Sequence, residues 1–126
     1  MNDIERVATA MVTAINDRDY SKIESFSTED VQLMLPPNQV FKGRDAIERF
    51  FHRLDELLPQ LTVVAREIHS GDDFAVVEWE SQGTSARESP VTSMGALVLR
   101  FQGDRIRRST LYLDTAQWQS LQEGRA

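Results

Sequence analysis

Hydrophobic positions along the chain change their period once, near Pro59, and the change separates a helical part from a stranded part. Ile4, Val7, Ala8, Met11, Val12 and Ile15 recur at steps of three and four, the stripe of an amphipathic helix. An Asn2-x-x-Glu5 capping box opens that helix, and the polar run Asn16-Asp17-Arg18-Asp19 closes it. Asp19 then caps a short second helix from about Tyr20 to Phe26, with Ile23 and Phe26 inward. Val31 to Leu35 is β-prone, and Pro36-Pro37 cannot continue a central strand. The stretch "VFKG" makes a brief second extended piece. From about Arg44 to Leu58 the helical period returns through Ile47, Phe50, Phe51, Leu54 and Leu57 or Leu58, until Pro59 stops it.

Beyond Pro59 the period is two. "LTVVAREIHS", "DFAVVEWESQGT", "MGALVLRF" and "RIRRSTLYLD" read as four strands. Gly71-Asp72-Asp73 and Gln102-Gly103-Asp104 supply hairpin turns, and a looser loop from about Ser85 to Val91 joins the middle pair. Asp114 to Gln117 opens a last short helix carrying Trp118 and Leu121. Helices followed by an antiparallel meander predict an α+β fold. The expected form is an α+β roll: four main strands plus a short first strand, curved into a cone with three helices on the concave face.

Length and composition narrow the function. At 126 residues the chain is expected to be one domain, 1–126, with a core and room for one internal cavity. A hydrophobic share of 40% and a charged share of 27% exclude disorder beyond the termini. The net charge of −6 argues against a nucleic-acid partner, whose phosphates demand a basic excess. Arg100, Arg105, Arg107 and Arg108 cluster around one hairpin and read as a solvated face or an interface rim. Without cysteine there is no disulfide or thiolate chemistry. The charged opening "MNDIERVATAMV" predicts neither a signal peptide nor a membrane span, and so a cytoplasmic protein.

The order helix, short helix, "VQLMLPP", "GRDAIERFF", "AVVEW", "LRFQGDRI" and "LYLD" resembles the nuclear-transport-factor-2-like superfamily, and within it the SnoaL-like, polyketide cyclase-like branch. The likeness runs from about Ile4 to Trp118. It implies a cone-shaped cavity between sheet and helices and a homodimer built on the sheet. It does not fix an activity, since such folds carry isomerases, cyclases, hydrolases and binding modules. Ketosteroid isomerases of this fold place an acid, a Tyr and a protonated Asp in the cavity. The matching positions here are Leu35, Met11 and Leu97. Limonene epoxide hydrolases need an acid where this chain has Leu111. The resemblance therefore implies an apolar cavity, lined by Met11, Leu35, Phe51, Trp79, Leu97, Ser109 and Leu111.

Polar candidates are few. Trp79 either walls the pocket with its indole N–H free for a ligand or packs in the core. Ser109, on one face with Leu111, either orients a ligand or fills space. Asp114 either stands at the cavity mouth as a base or caps the last helix through Gln117. His52 and His69 are expected at the surface, with His52 the alternative general base. No spacing suits a metal and no glycine-rich phosphate loop occurs, so neither metal nor cofactor is expected. The function expected is binding of an apolar small molecule, as a cyclase or isomerase of a polyketide-like substrate or as a non-catalytic binding or dimerisation module.

Overall fold

Among the described residues, three of the four helices begin where a short polar side chain takes up a free backbone amide. A computed structural model, which describes residues 2–124, gives the geometry. Helix α1 (Asp3–Asp17) starts after Asn2, whose Oδ1 accepts from the Glu5 amide at 2.8 Å. The expected reciprocal bond from Glu5 is not made. Its carboxylate accepts from Ser70 Oγ at 2.8 Å and ties the helix start to the sheet. Asp19 caps α2 (Tyr20–Ser25) through the Lys22 amide at 3.2 Å. Asp114 caps α4 (Thr115–Gln122) through the Gln117 amide at 3.1 Å. Helix α3 (Arg44–Leu57) follows Gly43 and has no side-chain cap.

Six strands form one sheet: β1 (Ser27–Leu35), β2 (Gln39–Lys42), β3 (Thr62–Ser70), β4 (Phe74–Thr84), β5 (Pro90–Gln102) and β6 (Arg105–Tyr112). Their order is β2-β1-β6-β5-β4-β3. The meander β3 to β6 is antiparallel throughout, as its turn residues predict. Gly103 adopts φ +64°, the left-handed conformation its hairpin needs and a side chain resists. The count of four main strands and a short first one needs correcting. The first strand begins at Ser27, runs for nine residues and lies parallel to β6, while β2 pairs antiparallel along its other edge. Pairing of β1 with β6 joins segments some seventy residues apart, and no local periodicity announces it.

Helices lie on the concave side of the sheet, where alternation points the apolar residues of each strand. Ile4, Ala8, Met11 and Ala14 of α1 and Ile47, Phe50 and Phe51 of α3 are buried against Val31, Leu33 and Leu35 of β1, Val77 of β4 and Leu99 of β5. Each of these side chains larger than alanine contributes about 1.5–3 kcal/mol by leaving water.

Two polar side chains hold the end of α1 on this core. The Asn16 amide donates to the Val63 carbonyl and accepts from the Val63 amide, each at 2.8 Å, as a neighbouring strand would. Arg18 takes a left-handed φ of 58° as the α1 cap and donates to the carbonyls of Pro59 and Leu61 at 3.1 and 2.9 Å. Its Nε pairs with Asp55 at 2.9 Å. Among the described residues no helix is long and apolar enough to cross a membrane.

Candidate ligand-binding cavity

Sheet and helices enclose a cavity of about 110 Å³. For scale, an apolar cavity near 150 Å³ can hold benzene. Helices α1 and α3 supply its roof through Met11, Ile15, Phe50, Phe51 and Leu54. Strands β4 to β6 supply the floor through Val77, Trp79, Leu97, Ser109 and Leu111, and Trp118 and Leu121 of α4 stand along one side.

Six of the seven positions expected to line the cavity do so: Met11, Phe51, Trp79, Leu97, Ser109 and Leu111. Leu35 does not. It is 2% exposed and packed in solid core, while Leu33, one pleat earlier on the same face of β1, reaches the cavity. The face of the strand was legible, but the depth at which the cavity meets it depends on how α3 crosses it.

Asp114 both lines the cavity and caps α4, so the rim position and the cap coincide in one exposed side chain. Continued strand alternation along β6 would set position 114 on the outer face with Tyr112. β6 ends at Tyr112, however, and the chain turns into α4, carrying Asp114 back toward the opening. It is the one ionisable side chain in the lining among the described residues.

His52 sits outside the lining, exposed on α3 with Nε2 3.4 Å from Glu48 and its ring edge-on to Tyr20. Tyr20 is pushed above its ordinary range first by burial and then by the Asp55 carboxylate. His69 is exposed on β3, with Nε2 2.8 Å from Glu78 and 3.4 Å from Glu67. Bonding to Glu78 raises its pKa, and the same bond lowers that of Glu78.

Reading the spacings alone missed two carboxylate-bearing clusters that only the fold assembles. Cross-strand register sets Glu67, His69 and Glu78 together, and packing of α2 on α3 does the same for Glu24, Asp45 and Glu48. In the second cluster a hydrogen bond between Glu24 and Glu48 raises the pKa of Glu24 and lowers that of Glu48. None of these six side chains lines the cavity.

Hydrogen bonding inside the cavity is sparse. Ser27 donates to the Ile23 carbonyl at 3.3 Å, and Gln117 donates through Nε2 to the Thr92 carbonyl at 3.0 Å. The indole Nε1 atoms of Trp79 and Trp118 are buried and have no partner. Trp118 was expected only as a residue carried by the last helix, and its place in the cavity wall depends on α4 bringing it up to α3. There its ring lies 5.8 Å from that of Phe50.

Comparison with known proteins follows this geometry. The family model described as SnoaL-like domain matches residues 8–109. No curated protein matches the sequence. An NTF2-like protein of unknown function from Burkholderia pseudomallei is 18% identical with a TM-score of 0.88, over 96% of this chain and 98% of its own. A candidate SnoaL-like polyketide cyclase from Jannaschia sp. CCS1 is 14% identical with a TM-score of 0.86, over 94% and 90%. TerC, co-crystallised with polyporic acid, is 21% identical with a TM-score of 0.86, over 97% and 99%. At these identities the likeness concerns the fold.

Proposed function

The chain belongs to the SnoaL-like domain family, within the nuclear-transport-factor-2-like superfamily, and from that premise we propose that it binds a small, mainly apolar molecule in the cone between sheet and helices. One observation carries this reading. The cavity is walled by hydrocarbon and aromatic rings, Met11, Leu97 and Leu111 among them, which the resemblance sets where catalytic relatives keep ionisable groups. A few polar groups in an apolar hollow are the usual makings of a small-molecule site.

Its size sets the ligand. About 110 Å³ is somewhat below the volume that holds benzene, so a single ring already fills the hollow and a polycyclic or polyketide-like compound requires it to widen. Co-crystallisation of TerC with polyporic acid supports a ligand role for cones of this kind.

A catalytic version of the reading rests on Asp114. As a base at the rim it would serve a cyclase or isomerase that works chiefly by holding one substrate conformation. Such preorganisation removes about 7–11 kcal/mol of barrier in favourable intramolecular cases. His52 has no part in it, since it lies outside the lining.

Pairing of two copies through the outer sheet face belongs to the same proposal. Register aligns Val76, Val98, Thr110, Met34 and Val40 in one row across five strands. Met94 and Tyr112 on that side are 70% and 50% exposed. Such a patch on a monomer is a docking surface.

Native mass spectrometry of the freshly purified protein tests the binding reading. The expected result is a co-purifying apolar compound released on denaturation, or stabilisation by members of a panel of single-ring compounds. A protein that carries nothing and whose melting point no member of the panel moves would refute it.

A further inference from the structure

Buried indole N–H groups nearly always find an acceptor. This chain has two tryptophans, both line the cavity, and both indole Nε1 atoms are buried without a partner. Trp118 is 9% exposed and held by Phe50 at 5.8 Å. Trp79 is held over Gly95, its register partner, where any Cβ would collide with the indole ring. Both N–H groups are shut off from water in the cavity wall, and a ligand that displaces the side chains around them would supply the missing acceptor.

The rest of the lining selects the kind of acceptor. No Lys, Arg or His lines the cavity among the described residues, so an anion entering it would shed its hydration without a counter-charge. Asp114 at the rim adds repulsion to that cost. A neutral carbonyl oxygen needs no counter-charge and accepts along the directions an indole N–H supplies. Ring-sized volume and apolar walls set the remainder of the molecule.

We propose that the ligand is a neutral cyclic carbonyl compound of about one ring, recognised through the indole N–H groups of Trp79 and Trp118. This rests on the cavity being a ligand site, and the test separates the two. Wild-type protein labelled with ¹⁵N is titrated with cyclohexanone and, separately, with methylenecyclohexane, which has the same shape but no acceptor. The chain gives two indole cross-peaks.

Both compounds are expected to bind, with an indole proton moving downfield for the ketone alone; movement of one resonance assigns the contact to that ring. In Trp79→Phe or Trp118→Phe the ketone is expected to bind about tenfold more weakly, the worth of one hydrogen bond, while the hydrocarbon stays within about twofold. Cyclohexanecarboxylate is expected to bind at least about tenfold more weakly than the ketone.

If both ring compounds bind while both indole protons stay put, or the carboxylate binds as tightly as the ketone, the proposal fails and the cavity reading stands. If neither ring compound binds, the proposal fails, and the cavity reading falls with it when the protein also carries no ligand and the wider panel leaves its melting point unmoved. The chemical-shift measurement needs only the wild-type fold, so instability of either variant does not shield the proposal.

Discussion

Trp79 lies directly over Gly95 on the neighbouring strand: a Cβ built on that glycine would come within 2.6 Å of the indole Cζ2 and would also run into the Tyr112 carbonyl oxygen. One of those obstacles is a ring already packed in the cavity floor and the other is backbone, so neither yields easily. Gly95→Ala is expected to cost about 1–3 kcal/mol, the usual effect of overpacking, with a shift in tryptophan emission. Denaturant unfolding followed by fluorescence measures both. An unchanged midpoint would mean that β5 and β6 part without penalty.

Leu35 and Leu111 should respond differently to truncation. Leu35 is 2% exposed in solid core, so Leu35→Ala should cost about 2–5 kcal/mol. Leu111 lines a hollow that already exists, so Leu111→Ala should cost less and admit a larger ligand. Thermal melts of the two variants, with and without cyclohexanone, give the comparison. Equal costs would put Leu111 in solid core as well.

Asp114 can be divided into its two roles by substitution. Asn caps a helix as well as Asp, so Asp114→Asn should leave stability unchanged, whereas Asp114→Ala should lose about 1 kcal/mol. Should a turnover assay be found, Asp114→Asn then reports the base alone. Activity retained in that variant removes Asp114 from the chemistry.

The His69–Glu78 pair predicts a narrow pH effect. His69 has its pKa raised above 6.5 in the folded state, so its contribution is complete below that value and disappears as pH climbs through the raised pKa. Glu78 has its pKa lowered from 4.5, so its contribution is complete above that value and disappears as pH falls through the lowered pKa. Both therefore operate fully between pH 4.5 and 6.5. The melting temperature of wild type minus that of His69→Gln should peak in that window and shrink with added salt, as an exposed pair requires. A difference that is flat with pH would contradict the pairing.

Association through the outer face can be read from mass. Tyr112→Glu combined with Met94→Glu should convert a dimer to monomer in sedimentation equilibrium, because each replaces an exposed apolar side chain on the paired face with a carboxylate. Wild-type protein sedimenting as a monomer at micromolar concentration would end that proposal.

Local rules carried the sequence reading a long way. Asn2, Asp19 and Asp114 cap the helices their positions announce, and the alternation in "AVVEWESQGT" sets Val77 and Trp79 inward. Contacts between distant segments escaped it. Parallel pairing of β1 with β6, the replacement of Leu35 by Leu33 at the cavity and the arrival of Trp118 in its wall all follow from how separated elements cross. The same holds for Glu78 meeting His69, which only the β3–β4 register brings about. A hollow is defined by what several elements leave unfilled, and no single window of sequence contains that.

Asn16 has a consequence for the behaviour of the protein in crowded solution. β3 is the last strand of the sheet, with its outer rim open to recruitment by any passing extended chain. By occupying both backbone groups of Val63, the Asn16 amide already stands where a foreign strand would begin to zip on. Asn16→Ala is therefore expected to bare that edge and to quicken fibrous self-association on storage, as light scattering would record.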